Sequence, residues 1–172
     1  MKILTLSGST RSTSSNAKLL EGVTLLFPKH DFISYKKIDQ LPLFRAEDDA
    51  HPWAETVLDW RKKLQDSDAV IISIPEYIHN LPALIKNALE WIASSGELVG
   101  KPVLPITFTP HEPRGEKAMQ SLCWSLQALD ARIVVQLPLF QNEINFEKDN
   151  SLTGNESVEM LKEAVKLLIG ES

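Results

Sequence analysis

Residues Gly8-Ser9-Thr10-Arg11-Ser12-Thr13-Ser14-Ser15-Asn16 concentrate hydrogen-bond donors around one cation. Ser9, Thr10, Ser12, Thr13, Ser14 and Ser15 offer hydroxyls, and Arg11 offers a planar fork of N–H groups. A helix starting near Ser15 would add free backbone N–H groups and a partial positive charge. That chemistry suits a dianion. Neither G-x-x-x-x-G-K-[ST] nor G-x-G-x-x-G occurs, which sets aside a nucleoside-triphosphate loop and a dinucleotide fingerprint. A hydroxyl-rich loop with one Arg suits a terminal phosphate monoester. The same residues also read as a Ser/Thr-rich turn that merely caps a helix.

A second segment, Ile74-Pro75-Glu76-Tyr77-Ile78-His79-Asn80-Leu81-Pro82, is stiffened by two prolines. Tyr77 offers an apolar face with a polar tip to a planar ligand, or packs on its neighbours. The histidines His30, His51, His79 and His111 lack metal-ligand spacing, so no metal site is expected. Nothing marks a base beside a nucleophilic serine, and no dedicated catalytic side chain is expected. Glu76 reads as a general base or as a structural carboxylate, and Cys123, inside a helical pattern, as a buried structural thiol.

Strand-like and helical runs alternate along the chain. Ile3 to Leu6, Phe32 to Tyr35, Ala69 to Ile74, Val103 to Phe108 and Ile133 to Leu137 read as strands. Ala69 to Ile74 is apolar without alternation, the signature of a strand covered on both faces. Between the strands lie helical stripes at Leu19/Leu20/Val23, at Trp53/Val57/Trp60/Leu64, at Leu81/Leu84/Ile85/Ala88/Ile92 and at Ala118/Leu122/Leu126/Leu129. Val158, Leu161, Val165 and Leu168 mark a last helix, and Asn80 is a candidate cap for the third. The stretches 39–52 and 141–155 show no periodicity. Strict alternation predicts an α/β doubly wound, five-stranded parallel sheet with helices on both faces. With strand order 2-1-3-4-5, the loops after the first and third strands face one crevice at the switch point.

The chain has 172 residues, enough for a single domain over 1–172. A net charge of −5 makes nucleic acid a poor partner. One cysteine rules out a disulfide within the chain and fits a reducing compartment. The apolar N-terminal run is too short for a signal core or a membrane span, so a cytoplasmic protein with no membrane association is expected.

Together the two loops resemble the NAD(P)H-dependent FMN reductase family, a flavodoxin-like group that includes quinone, azo-dye and chromate reductases. The family motif G-S-x-R-x-x-S-x-N is matched at Gly8, Ser9, Arg11, Ser14 and Asn16. The motif P-E-Y-N-x-S-x-P-x-x-L-K-N-A-[IL]-[DE]-W is matched at Pro75, Glu76, Tyr77, Pro82, Lys86, Asn87, Ala88, Leu89, Glu90 and Trp91. Leu41-Pro42-Leu43-Phe44 and Lys101-Pro102-Val103 are also similar to family segments. The departures are Ile78 for a small polar residue, Asn80 for Ser, Leu84/Ile85 for Val-Leu, and a third loop, Thr109-Pro110-His111-Glu112-Pro113-Arg114-Gly115, with little of the family's glycine.

The resemblance implies that Ser9, Arg11, Ser14 or Ser15, and Asn16 hold the phosphate of FMN. It implies that Pro75, Glu76, Tyr77 and Ile78, with Thr109, Pro110 and Gly115, lie along the rest of the cofactor. The implied activity is hydride transfer from NADPH or NADH, through bound FMN, to a small-molecule acceptor such as a quinone or free flavin. A homodimer or homotetramer is implied, with Trp91, the 39–52 loop and the third helix as candidate contacts. The rival readings are an electron carrier and an FMN-binding interaction subunit with altered catalysis.

Overall fold

The computed structural model describes every residue except Ser12, His51, Asn155 and Ser172. The expectations placed on the Ser12 hydroxyl and on His51 lie outside the described residues. β3 (Ala69–Ile74) is buried at every position, as its unbroken apolar run requires. It pairs in parallel with β1 (Lys2–Ser7) and with β4 (Pro102–Thr109). β2 (Asp31–Tyr35) lies outside β1. On the far side, β4 carries β5 (Arg132–Ile133) and β6 (Leu137–Phe140). The order is β2-β1-β3-β4-β5, the doubly wound flavodoxin-like arrangement with β1 and β3 at the switch point.

Side chains alternate between two cores. Leu4, Val70 and Ile72 face a cluster built with α2 (Glu55–Gln65), α3 (Ala83–Glu90) and α4 (Glu116–Ala128). Ile3, Ile71 and Leu104 face the other, built with α1 (Ser15–Leu26) and α5 (Glu156–Ile169).

The expected fifth strand, Ile133 to Leu137, is instead an interrupted edge. Val103 pairs with Ile133 and Ile106 with Leu137, so three steps on β4 face four on the edge. The extra residue is a bulge opposite Pro105, which has no N–H to donate to a ladder. The stretch 141–155 contains a hairpin, β7 (Ile144–Phe146) with β8 (Leu152–Gly154), whose Ile144 and Leu152 join the second core.

The 39–52 loop is tied down by the third helix and the turns after it. The Pro42 carbonyl accepts from Asn87 Nδ2 at 3.0 Å and from Trp91 Nε1 at 2.7 Å. Asn87 Oδ1 accepts the Phe44 N–H at 2.7 Å. Trp91 is therefore a buried bolt, 2 % exposed, rather than a surface for a second subunit. Arg61, also buried, donates to the Trp91 carbonyl and to Asp49 Oδ1 at 2.7 Å, and it stacks on Trp53 at 4.0 Å. The Ser94 hydroxyl and Arg61 hold the Asp49 carboxyl below its ordinary range.

Candidate functional site

β1 ends at Ser7, and the chain turns at Gly8 hard against β3. The Gly8 N–H donates to the Ser73 carbonyl at 2.8 Å. A Cβ on Gly8 would meet Ile74 Cγ2 at 2.8 Å, so this approach requires glycine. The loop closes with the Ser14 N–H on the Arg11 carbonyl at 3.0 Å. Ser14 Oγ then caps α1 by accepting the Ala17 N–H at 3.3 Å. Asn16 is 2 % exposed and faces inward. Its Nδ2 donates to the Phe108 carbonyl at 3.3 Å, and its Oδ1 accepts the Ser73 hydroxyl at 2.8 Å. One side chain thus joins α1, β3 and β4 beneath the loop.

A cavity of about 410 Å³ opens above this joint. From the first loop it takes Ser9, Arg11, Ser14, Ser15 and Asn16, all expected from the sequence, together with Thr13. The second loop contributes Pro75, Glu76 and Tyr77, and the third Thr109 and Pro110. Three loops that are distant in sequence therefore meet at the carboxyl ends of β1, β3 and β4. Phe108, Arg114 and Gln141 also line the cavity without having been singled out. Arg114 was visible as a cation in the third loop. Gln141 follows β6, and its Nε2 donates to Ser15 Oγ at 2.9 Å.

Ile78 and Gly115 lie off this lining. Tyr77 and Asn80 bond each other's backbone at 3.1 and 3.0 Å, and Ile78 and His79 form the tip between them with φ of 50° and 53°. Ile78 is 98 % exposed. Asn80 therefore closes a turn. It does not cap α3, whose N-cap is Pro82 and has no side-chain bond. Gly115 is the N-cap of α4 at φ 104°, packed on Thr107.

The donors split into two sets. The side chains of Ser14, Ser15 and Asn16 already have partners within the protein. Those of Ser9, Arg11, Thr13 and Arg114 have none among the described residues. In the first turn of α1, the amides of Ser15 and Asn16 likewise have no partner among the described residues. Glu76 is the one acid on the lining, and its charge is engaged elsewhere. Its Oε2 accepts the Ala118 N–H at the start of α4 at 3.1 Å, and its Oε1 lies 3.4 Å from His79 Nδ1. The cavity is therefore cationic and donor-rich within a protein of net charge −5. It can hold an anion, and Tyr77 and Pro110 supply apolar surface beside it.

The family model described as NADPH-dependent FMN reductase matches residues 1–143. NADH:(hydroxy)cinnamate reductase subunit CrdA of Vibrio ruber is 37 % identical over 123 residues, 70 % of this chain and 59 % of that protein. An NAD(P)H-dependent FMN reductase of Pseudomonas aeruginosa is 31 % identical over 104 residues, 59 % of this chain and 56 % of its own length. The chain thus spans less than two thirds of either relative. A quinone reductase of Escherichia coli is 28 % identical over 158 residues, covering 90 % of this chain and 84 % of that protein. FerB, a flavoenzyme NAD(P)H:(acceptor) oxidoreductase from Paracoccus denitrificans, shares the fold with a TM-score of 0.84 at 24 % identity, over 98 % of this chain and 95 % of that one. The phosphate-type loop, the loop after β3 and the strand order thus agree with the sequence match, and the chain belongs to the NADPH-dependent FMN reductase family.

Proposed function

We propose that this protein is an FMN-dependent oxidoreductase that takes hydride from NADPH or NADH and passes it to a quinone, a free flavin or a similar acceptor. The carrying observation is the anion cradle itself. Arg11, Ser9, Thr13 and the first-turn amides of α1 converge on one cavity, and the side chains beneath them are already bonded within the protein. Such a set fits a terminal phosphate dianion.

Each residue has a defined part. Arg11 gives a charge-assisted fork to the phosphate, with Ser9 and Thr13 hydroxyls and the Ser15 and Asn16 amides beside it. Ser14 and Asn16 hold the loop in shape through their side chains. Pro75, Glu76 and Tyr77 line the next part of the cavity, and Thr109 and Pro110 close its far wall. The Thr109 hydroxyl donates to the Arg114 carbonyl at 2.9 Å, which fixes the third loop's shape. Ile78 and Gly115 stand outside the lining, Ile78 as an exposed lip and Gly115 as the turn into α4. FMN held there supplies the hydride chemistry, and the protein supplies binding, orientation and electrostatics. Hydride transfer between a nicotinamide and a flavin needs no general base, so no dedicated catalytic side chain is proposed.

The proposed unit is one domain over 1–172, since Ile3 of β1 and Leu168 of α5 share a core cluster. No described helix is long and apolar enough to cross a membrane. A cytoplasmic setting is supported by the single free cysteine, Cys123, which is buried with its thiol pushed up by burial. A homodimer or homotetramer is proposed, with the 39–52 loop as the contact, where Leu43 is 74 % exposed.

Arg11→Ala tests the cradle. FMN affinity is expected to fall by about tenfold or more, while riboflavin, which lacks the phosphate, binds as to the wild type. Equal weakening of both ligands would remove Arg11 from the phosphate.

A further inference from the structure

A second cavity, larger than the anion cradle, adjoins it. A space of about 680 Å³ lies between α4 and the edge strand β6. Arg114 lines both cavities, and its guanidinium has no partner among the described residues. On the helix side, Gln120, Trp124 and Gln127 step by four and three along one face of α4. Gln136, in the bulge of the edge, faces them. Trp124 is 62 % exposed, although the opposite face of α4 buries Leu122 and Leu126. On the floor, Thr107 is 0 % exposed, and its hydroxyl has no partner among the described residues.

These features specify a ligand. An exposed indole offers a flat face for stacking, and carboxamides offer donors and acceptors together to a heteroaromatic edge. A buried hydroxyl without a partner is costly unless a ligand or water satisfies it. Glu112 and Glu116, also on this cavity, can accept from sugar hydroxyls. Arg114 stands where the two cavities meet, which suits a bridging pyrophosphate. Base, sugar, pyrophosphate and a second ring, in that order, make up a nicotinamide adenine dinucleotide.

We propose that the α4/β6 cavity is the adenosine subsite of the nicotinamide co-substrate, with Trp124 stacking on the adenine and Arg114 on the pyrophosphate. The inference rests on the oxidoreductase reading above. It adds a site outside the cradle and makes the third loop, with its bulky charged residues, a binding element. The loop that lacks the family's glycine then carries recognition of the reductant's far end.

The test uses protein loaded with FMN and the probe ADP-ribose, which carries the adenosine and pyrophosphate without nicotinamide. Calorimetry is expected to find one site per chain in the wild type, weakened by about tenfold or more in Trp124→Ala and in Arg114→Ala. Trp124 is largely exposed, so its replacement leaves the core intact. In steady state, Trp124→Ala is expected to raise KM for NADH by about tenfold while KM for reduced nicotinamide mononucleotide stays as in the wild type. No ADP-ribose binding, equal binding by the variants, or an equal rise of both KM values would overturn the proposal. So would a dimer whose interface covers Trp124 in solution. A protein oxidising neither reductant would instead overturn the oxidoreductase reading, and calorimetry would still decide the subsite.

Discussion

Ile78 holds a backbone conformation that β-branched residues avoid. At φ 50° its Cβ crowds the following carbonyl, and its side chain, 98 % exposed, gains almost nothing from packing. The Tyr77–Asn80 pair imposes the turn regardless of the residue at its tip. Ile78→Asn is therefore expected to stabilise the protein by about 1 kcal/mol, because Asn tolerates the left-handed region. Urea unfolding measures this through the midpoint at constant slope. An unchanged or lower midpoint would show that the turn carries no strain. The identity of the loop residues was legible from residue types, since hydroxyls and an Arg announce an anion. Their division of labour was not. Ser14 and Asn16 carry the same donor chemistry as Ser9 and Thr13, and only the packing shows that they face the protein.

Among the elements, the joint beneath the cradle matters most. Asn16 ties α1 to β3 through Ser73 and to β4 through Phe108. Asn16→Ala leaves the Ser73 hydroxyl, at a fully buried position, without its acceptor. A loss of about 2 kcal/mol is expected, together with weaker FMN binding, although the Asn16 side chain does not present itself to the ligand. Denaturation and FMN titration of the same variant measure both. Unchanged stability would show that α1 is positioned by its apolar face alone. β1, β3 and β4 could be read from their apolar runs because burial on both faces leaves an unmistakable composition. The edge strand could not, since its break depends on Pro105 in the neighbouring strand. The β7–β8 hairpin was hidden because three-residue strands are too short for periodicity.

For the whole molecule, the pH dependence of stability has an identifiable buried source. Burial, with Asp59 as a lesser contribution, pushes the Tyr35 hydroxyl up to about 12 from 10.0. Its ring packs on Trp60 with centroids 4.8 Å apart. A raised value means that the folded state favours the neutral phenol. This contribution to stability is complete below pH 10 and is lost as pH rises from 10 to about 12. Thermal unfolding across that window is expected to fall less steeply for Tyr35→Phe than for the wild type. Identical slopes would exclude Tyr35 as a source of alkaline instability. At the same carboxyl edge of the sheet the cavity lining is positive, with Arg11 and Arg114 set in a chain of net charge −5. Net charge, read from composition alone, averages over the surface and says nothing of this local site.

The proposed activity requires that the cradle hold FMN and that a nicotinamide reduce it. The most direct measurement is the anaerobic visible spectrum of the purified protein, loaded with FMN, as NADPH or NADH is added. The protein is expected to be yellow and to be bleached by either or both reductants in proportion to the amount added. Failure to load FMN would rule out the cradle as its site, and bleaching by dithionite alone would rule out a nicotinamide as the reductant.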